Sequence, residues 1–523
     1  MRPRSLRRLL ASAILAAITG CPASDAGLGE ACSDTSDCAS ALQCLAGACA
    51  IRCQRATDCG DGYACDAAGT CHLATGEQGD ACASETECAP GLSCQINGAD
   101  LDATHHLAAS CVAAGTGHPV GATCAADGEC RNGTCALGHC SDLCSETRDC
   151  TVGLSCMDIP RIDPAHAMAN GEMFHGCLPS TGNLTWTIPI QSPSQTTLLP
   201  IPDAATAVSV MLTVDDPNQL VGVTKLLSPA TDGARALLST CPNAGCDPIT
   251  ELYTNPVRHR PELAQAVLAM PSSTATLLVP GAYQMTVSSL RQVALGGLVG
   301  GSAIPRVTAV VKLDSNVLLD LHFYFLDLTA HPCAEALGSP KFDAQVAKTS
   351  AGFQADFLGE LRQIFSHGGV AIGSVSYEDV SDHPDLDGLE AADLPSLLAL
   401  GHHADGINIF FVRTLSPVGI QALGPNPGPA IAGTRQSGIA IGVDSLCYRT
   451  WPLLARVTAH EIARFMGLYH NIETATGSGG NLLRDPIDDS DDSSSNLMFY
   501  SEGGGTDLSA GQRDVLTRSP VLR

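Results

Sequence analysis

Hydrophobic and polar positions fall into successive textures along the 523-residue chain. Up to about residue 178, after a short apolar run near the N-terminus, hydrophobic periodicity is nearly absent and cysteines punctuate the sequence instead. From Asn183 to Leu313 the period is two. Val208, Val210, Leu212 and Val214 alternate with smaller or polar residues, which predicts a strand with one buried face. Leu277–Val279, Pro280–Gly281 and Ala282–Val287 read as strand, turn and strand, and Val307–Leu313 as a further strand. This stretch predicts an antiparallel β-sandwich.

Beyond Val317 the periods mix. Val317–Leu328 reads as a buried strand and Phe353–Phe365 as an amphipathic helix, with Val370–Tyr377, Ile407–Leu415 and Gly438–Val443 as further strands. Leu454, Val457, Ala459, Ile462 and Phe465 give the next helix apolar faces to bury. Ser509–Arg518 reads as a closing helix with Ser509 as its N-cap. The predicted architecture is therefore multidomain. A disulfide-rich repeat array (32–178) precedes a β-sandwich (183–313) and an α+β region (317–523), all behind a signal peptide (1–20).

Cysteine spacing carries the first of these regions. Of 25 cysteines, setting Cys21 aside leaves 24, an even number suited to disulfides. Twenty lie in five units of four: Cys32/38/44/49, Cys53/59/65/71, Cys82/88/94/111, Cys124/130/135/140 and Cys144/150/156/177. The first gap is always five residues, the signature of a repeat. Short units with few aromatic residues cannot bury a core, so cross-links must hold them. Each unit allows three pairings, and the spacing does not choose among them. The array predicts a stiff stalk or a binding surface. Cys241 and Cys246 enclose the four residues Pro-Asn-Ala-Gly and are expected to bridge, which leaves Cys333 and Cys447 as a pair by elimination.

Arg2, Arg4, Arg7 and Arg8 precede the apolar segment Leu9–Ile18, which is too short to span a membrane as a permanent helix. The segment ends Ile18-Thr19-Gly20-Cys21, which resembles the bacterial lipobox and implies lipidation of Cys21. That resemblance places the chain in a bacterial cell envelope, at the outer membrane or cell surface, with its acyl chains as the membrane contact. Net charge is −26, and loss of the four arginines of residues 1–20 takes it to −30. Such an excess disfavours nucleic acid and anionic lipid surfaces as partners.

The densest chemistry lies in His460–His470, HEIARFMGLYH. His460 and position 464 share one helical face, and Gly467 can end the helix so that His470 returns towards them. This spacing resembles the metzincin zinc-peptidase pattern H-E-x-x-H-x-x-G-x-x-H, with Arg464 in place of the second histidine. Asn496–Tyr500 (NLMFY) likewise resembles the metzincin Met-turn, with Met498 beneath the site and Tyr500 as a switchable metal ligand and transition-state donor. The resemblance covers roughly the last 200 residues. It implies His460 and His470 as zinc ligands, Glu461 as general base, and Gly438–Val443 as the edge strand that pairs with an extended substrate.

Arg464 changes that expectation. A zinc dication and a guanidinium about 4 Å apart, at an effective dielectric near 20, repel by roughly 8 kcal/mol. An i, i+3 pair between Arg464 and Glu461 that fills the pocket is the alternative, with zinc bound weakly or not at all. Two functions follow: a surface-anchored protein that binds peptide or protein partners and is catalytically impaired, or a zinc endopeptidase using His460, His470 and Tyr500 or a water. His367, His383, His402 and His403 read as surface or loop histidines. The acidic run Asp485–Asp492 lacks an alternating ligand pattern, so it reads as a solvated loop and not as a calcium site.

Overall fold

The computed structural model describes residues 26, 30–40, 42–45, 47–59, 63–65, 68–162, 170–240, 253–293, 297–326, 333–380, 382–417, 421–431, 434, 437–476, 482–501 and 503–523. The predicted signal peptide, Cys21 and the Cys241–Cys246 bridge lie outside these residues.

The N-terminal region is a disulfide-rich array. In every unit the first cysteine bonds the third and the second bonds the fourth, from Cys32–Cys44 and Cys38–Cys49 to Cys144–Cys156 and Cys150–Cys177. Two local devices select this pairing. The third and fourth cysteines sit directly opposite each other in a hairpin: Cys44 and Cys49, Cys65 and Cys71, Cys94 and Cys111, Cys135 and Cys140, Cys156 and Cys177. The first and second flank a 3-10 turn whose last residue is acidic. Asp37, Asp58, Glu87, Glu129 and Asp149 each accept the backbone N–H four residues earlier, at 2.8–2.9 Å. An acidic residue before the second cysteine is thus part of the repeat.

The array is not a linear stalk. The Arg55 guanidinium of the second unit lies 3.4–3.5 Å from the carbonyl oxygens of Thr147, Cys150, Thr151 and Leu154 in the fifth. This half-buried cation bridges the second and fifth units, so the array folds back on itself and does not run out as a straight stalk.

The next region contains eight principal strands: β1 (Asn183–Ile188), β2 (Ser194–Ile201), β3 (Ala207–Thr213), β4 (Leu220–Leu227), β5 (Ala236–Ser239), β6 (Gln265–Met270), β7 (Gly281–Gln292) and β8 (Arg306–Lys312). They form two antiparallel sheets, ordered β1-β8-β3-β6 and β2-β7-β4-β5. Val208, Val210 and Leu212 of one sheet and Val221, Val223 and Tyr283 of the other are buried in a common core. Leu277–Val279 is not the predicted strand. The Tyr283 hydroxyl accepts the Val279 N–H at 2.8 Å, so a side chain takes the place of a strand partner there.

The C-terminal region is α+β. Strands β9 (Leu318–Leu326), β10 (Ala371–Val380), β11 (Ile407–Val412), β12 (Ala422–Leu423) and β13 (Ile439–Gly442) form one sheet in the order β10-β9-β11-β13-β12. All pairings are parallel except β12 with β13. Helices α1 (Leu358–His367) and α2 (Trp451–Phe465) share the sheet face lined by Leu321, Phe323 and Phe411, while Tyr324 and Phe410 line the opposite face. Helix α3 (Ala510–Thr517) carries the predicted cap, with Ser509 and Gln512 forming a reciprocal capping box. Cys333 and Cys447 are disulfide-bonded, with Cα atoms 4.7 Å apart.

Two sequence expectations are corrected here. Gly438–Val443 is not an edge strand, because the chain returns through Ala422–Leu423 and covers it. The run Asp485–Asp492 is not simply solvated. Asp485 is buried and accepts from Gln512 and the Ile487 N–H, while Asp489 accepts the Gly511 N–H at the start of α3.

The two β-containing regions touch. Lys312, fully buried, donates to the Leu522 carbonyl at 2.8 Å and pairs with Asp314, and the Asn183 amide donates to the Pro520 carbonyl at 2.7 Å.

Candidate functional site

Helix α2 carries the first part of the site into the interior. Pro452 stands in its first turn, where the missing N–H costs nothing, and nearly every later position is buried. His460 and Glu461 are among them. Gly467 adopts φ +114°, a conformation costly for any other residue, and turns the chain so that His470 faces His460. The two Nε2 atoms lie 3.2 Å apart.

Hydrogen bonds at the far side of each ring define what those nitrogens are. His460 Nδ1 donates to the Leu497 carbonyl at 2.8 Å; a carbonyl only accepts, so the proton sits on Nδ1. Burial holds the His460 pKa well below the usual histidine value, despite the help of that carbonyl. Its Nε2 is therefore a bare lone pair. His470 Nδ1 meets the Glu473 carboxylate at 3.0 Å, which orients that ring in the same sense. Burial works to raise the Glu473 pKa, but the bond and charge of His470 outweigh it and hold the carboxyl below its ordinary range. Two imidazole nitrogens aimed at one another need a proton or a cation between them. Zinc–nitrogen bonds of about 2.0–2.1 Å set tetrahedral ligand–ligand edges of about 3.3–3.4 Å, close to the separation seen here. Both rings also have the outer hydrogen-bond partner typical of metal-binding histidines. The donor set fits a metal through two ligands.

Position 464 supplies no third imidazole. Arg464 Nη1 lies 3.3 Å from both carboxylate oxygens of Glu461. Burial raises the Glu461 pKa, and the Arg464 charge and hydrogen bond oppose it. An arginine thus occupies the proton-accepting face of the candidate base.

The turn below is held from α2. Met498 is fully buried, and its N–H donates to Asn496 Oδ1 at 2.8 Å. Arg456 donates to four carbonyls around it: Leu497 at 3.0 Å, Phe499 at 3.2 Å, Ser501 at 2.8 Å and Gly505 at 3.2 Å. Because Leu497 also receives His460 Nδ1, Arg456 positions the carbonyl that fixes the histidine. Tyr500 is 45% exposed and lines the same cleft of about 330 Å³ with His460, Glu461, Arg464, His470 and Gln421.

The structure therefore brings His460, Glu461, Arg464, His470 and Tyr500 to one cavity, with Met498 behind it. His367 ends α1 at the surface and His383 lies in a loop, both apart from the cleft lining. His402 and His403 pack near Tyr324, on the sheet face away from α2. Sequence reasoning missed Glu473 and Arg456. Glu473 is legible afterwards as an acid three residues beyond His470; Arg456 leaves only the weak signal of an arginine amid apolar helix positions. No protein-family model matches the chain, and no curated protein matches it.

Proposed function

We propose that residues 317–523 are a metallopeptidase-like domain of metzincin descent that binds peptide or protein ligands in the His460–Tyr500 cleft and is impaired in cutting them. One observation carries this reading: Glu461, the only acid of the motif, is paired with Arg464 where a ligand histidine would stand. A base bridged to a guanidinium is a poor proton acceptor at neutral pH. The antiparallel strand Ala422–Leu423 ends the sheet, and Gln421 and Ala422 line the cleft, so an extended peptide can add beside it. The two antiparallel sheets of 183–313 are read as a β-sandwich, and lipidation at Cys21 would display the whole at a bacterial surface. The strong negative charge argues against nucleic acid as a ligand.

A second reading, an active zinc endopeptidase, is favoured by the facing nitrogens of His460 and His470. Zinc held by those two histidines, with Tyr500 or water beside them, would polarise a peptide carbonyl and acidify a bound water.

Arg464→His separates the lesion from the scaffold. It should rebuild a three-histidine set and raise zinc affinity by well over the 10–100-fold typical of outer-partner changes. Unchanged zinc affinity in a variant with native circular dichroism would show that Arg464 is not what weakens the site.

A further inference from the structure

On the sheet face opposite α2, three histidines and two carboxylates from distant parts of the chain converge. His402 Nε2 lies 3.0 Å from Glu378 Oε2, and His403 Nε2 contacts the other oxygen of the same carboxylate. The two imidazoles approach one carboxylate from a loop, while Glu378 sits 25 residues before His403 on β10. His322 stacks flat on His403, ring centroids 3.6 Å apart at 8°. Its Nδ1 is fixed by Ser376 Oγ at 2.8 Å, and its buried Nε2 faces Asp405, whose Oδ1 is 3.6 Å away. The His402 N–H donates to the Tyr324 hydroxyl at 3.2 Å. Tyr324 and His322 thus support the two histidine positions from outside, while Glu378 is held by the imidazoles themselves.

We propose that Glu378, His402 and His403 form a second metal site, distinct from the His460–His470 pair, that takes a divalent first-row transition ion. Two imidazoles and a carboxylate are the donors that zinc, copper and nickel accept, and a hard calcium or magnesium ion would want more oxygen. The 3.0 Å separation of His402 and Glu378 falls near the ligand spacing of a tetrahedral zinc ion, about 3.3 Å, so small side-chain rotations admit one. Side chains of His402 (64% exposed), Glu378 (32%) and His403 (27%) leave the site open to entering metal and to a water as fourth ligand. A bound ion would clip the loop before β11 to β10, and so stabilise the folded form.

The test uses the mature full chain and zinc alone, with stoichiometry by equilibrium dialysis and melting temperature by circular dichroism. His460→Ala/His470→Ala removes the first pair and should still bind one zinc per chain. Adding His402→Ala or Glu378→Gln to it should lower that affinity at least about tenfold, the scale of lost metal-site interactions. In the otherwise unchanged chain, His402→Ala alone should shrink the zinc-induced rise in melting temperature; because His402 is exposed, this holds even if the double variant misfolds. The proposal is overturned if the double variant keeps native circular dichroism and binds no zinc. It is equally overturned if its zinc is indifferent to His402 and Glu378, which means adventitious surface binding. Neither outcome bears on the peptide cleft.

Discussion

Replacing Arg456 by methionine tests the claim that one buried cation organises the site. Methionine keeps most of the side-chain volume and helix propensity but removes every donor. Arg456 is 5% exposed and donates to the carbonyls of Leu497, Phe499, Ser501 and Gly505 at 2.8–3.2 Å. A buried acceptor left without a partner costs about 1–3 kcal/mol. The Leu497 oxygen retains His460 Nδ1, so the part-buried carbonyls of Phe499, Ser501 and Gly505 bear most of the loss. The expected destabilisation is about 3–5 kcal/mol, in line with removing one partner of a buried charged interaction. Trp451 opens the same helix and Trp186 is the only other tryptophan, so urea unfolding followed by fluorescence in a Trp186→Phe background isolates this region. Zinc affinity should fall as well, because the Leu497 carbonyl that orients His460 is no longer held in place by Arg456. A loss below about 1 kcal/mol, within reach of an ordinary surface change, would refute the clamp.

Two other expectations are independent of that clamp. Burial raises the Asp485 carboxyl to about 6, so the folded chain holds a proton there that the unfolded chain has released; stability should fall as pH rises from about 4 to 6, by up to about 1.4 kcal/mol per unit, and Asp485→Asn should flatten this slope in urea titrations. Cys21→Ser should block lipidation, so that the chain leaves the membrane fraction with an altered N-terminus; identical fractionation and processing would reject the anchor.

Local features were the legible ones. The apolar face of α2, the turn at Gly467 and the Ser509 cap each follow from a residue and its near neighbours. Alternation at Val208–Leu212 likewise marked a buried strand face. What failed was non-local. Nothing in Gly438–Val443 announces that Ala422–Leu423, from a stretch without periodicity, will cover its edge. The run Leu277–Val279 has strand composition, but a tyrosine hydroxyl claims its N–H. Arg55 reaches a unit almost a hundred residues away, and His322 stacks on His403 from a separate strand, contacts that no spacing rule encodes. Arg464 lay between these cases. Its i, i+3 relation to Glu461 was readable, whereas the outer partners of the two histidines required the folded chain.

Peptide cleavage by the zinc-loaded parent protein, compared with its Glu461→Gln variant, tests the central claim most directly. Over a mixed peptide library analysed by mass spectrometry, the parent should cut no faster than Glu461→Gln, because Arg464 already occupies that carboxylate. Zinc-dependent cleavage by the parent that Glu461→Gln abolishes would contradict the account and leave the two-histidine peptidase in its place.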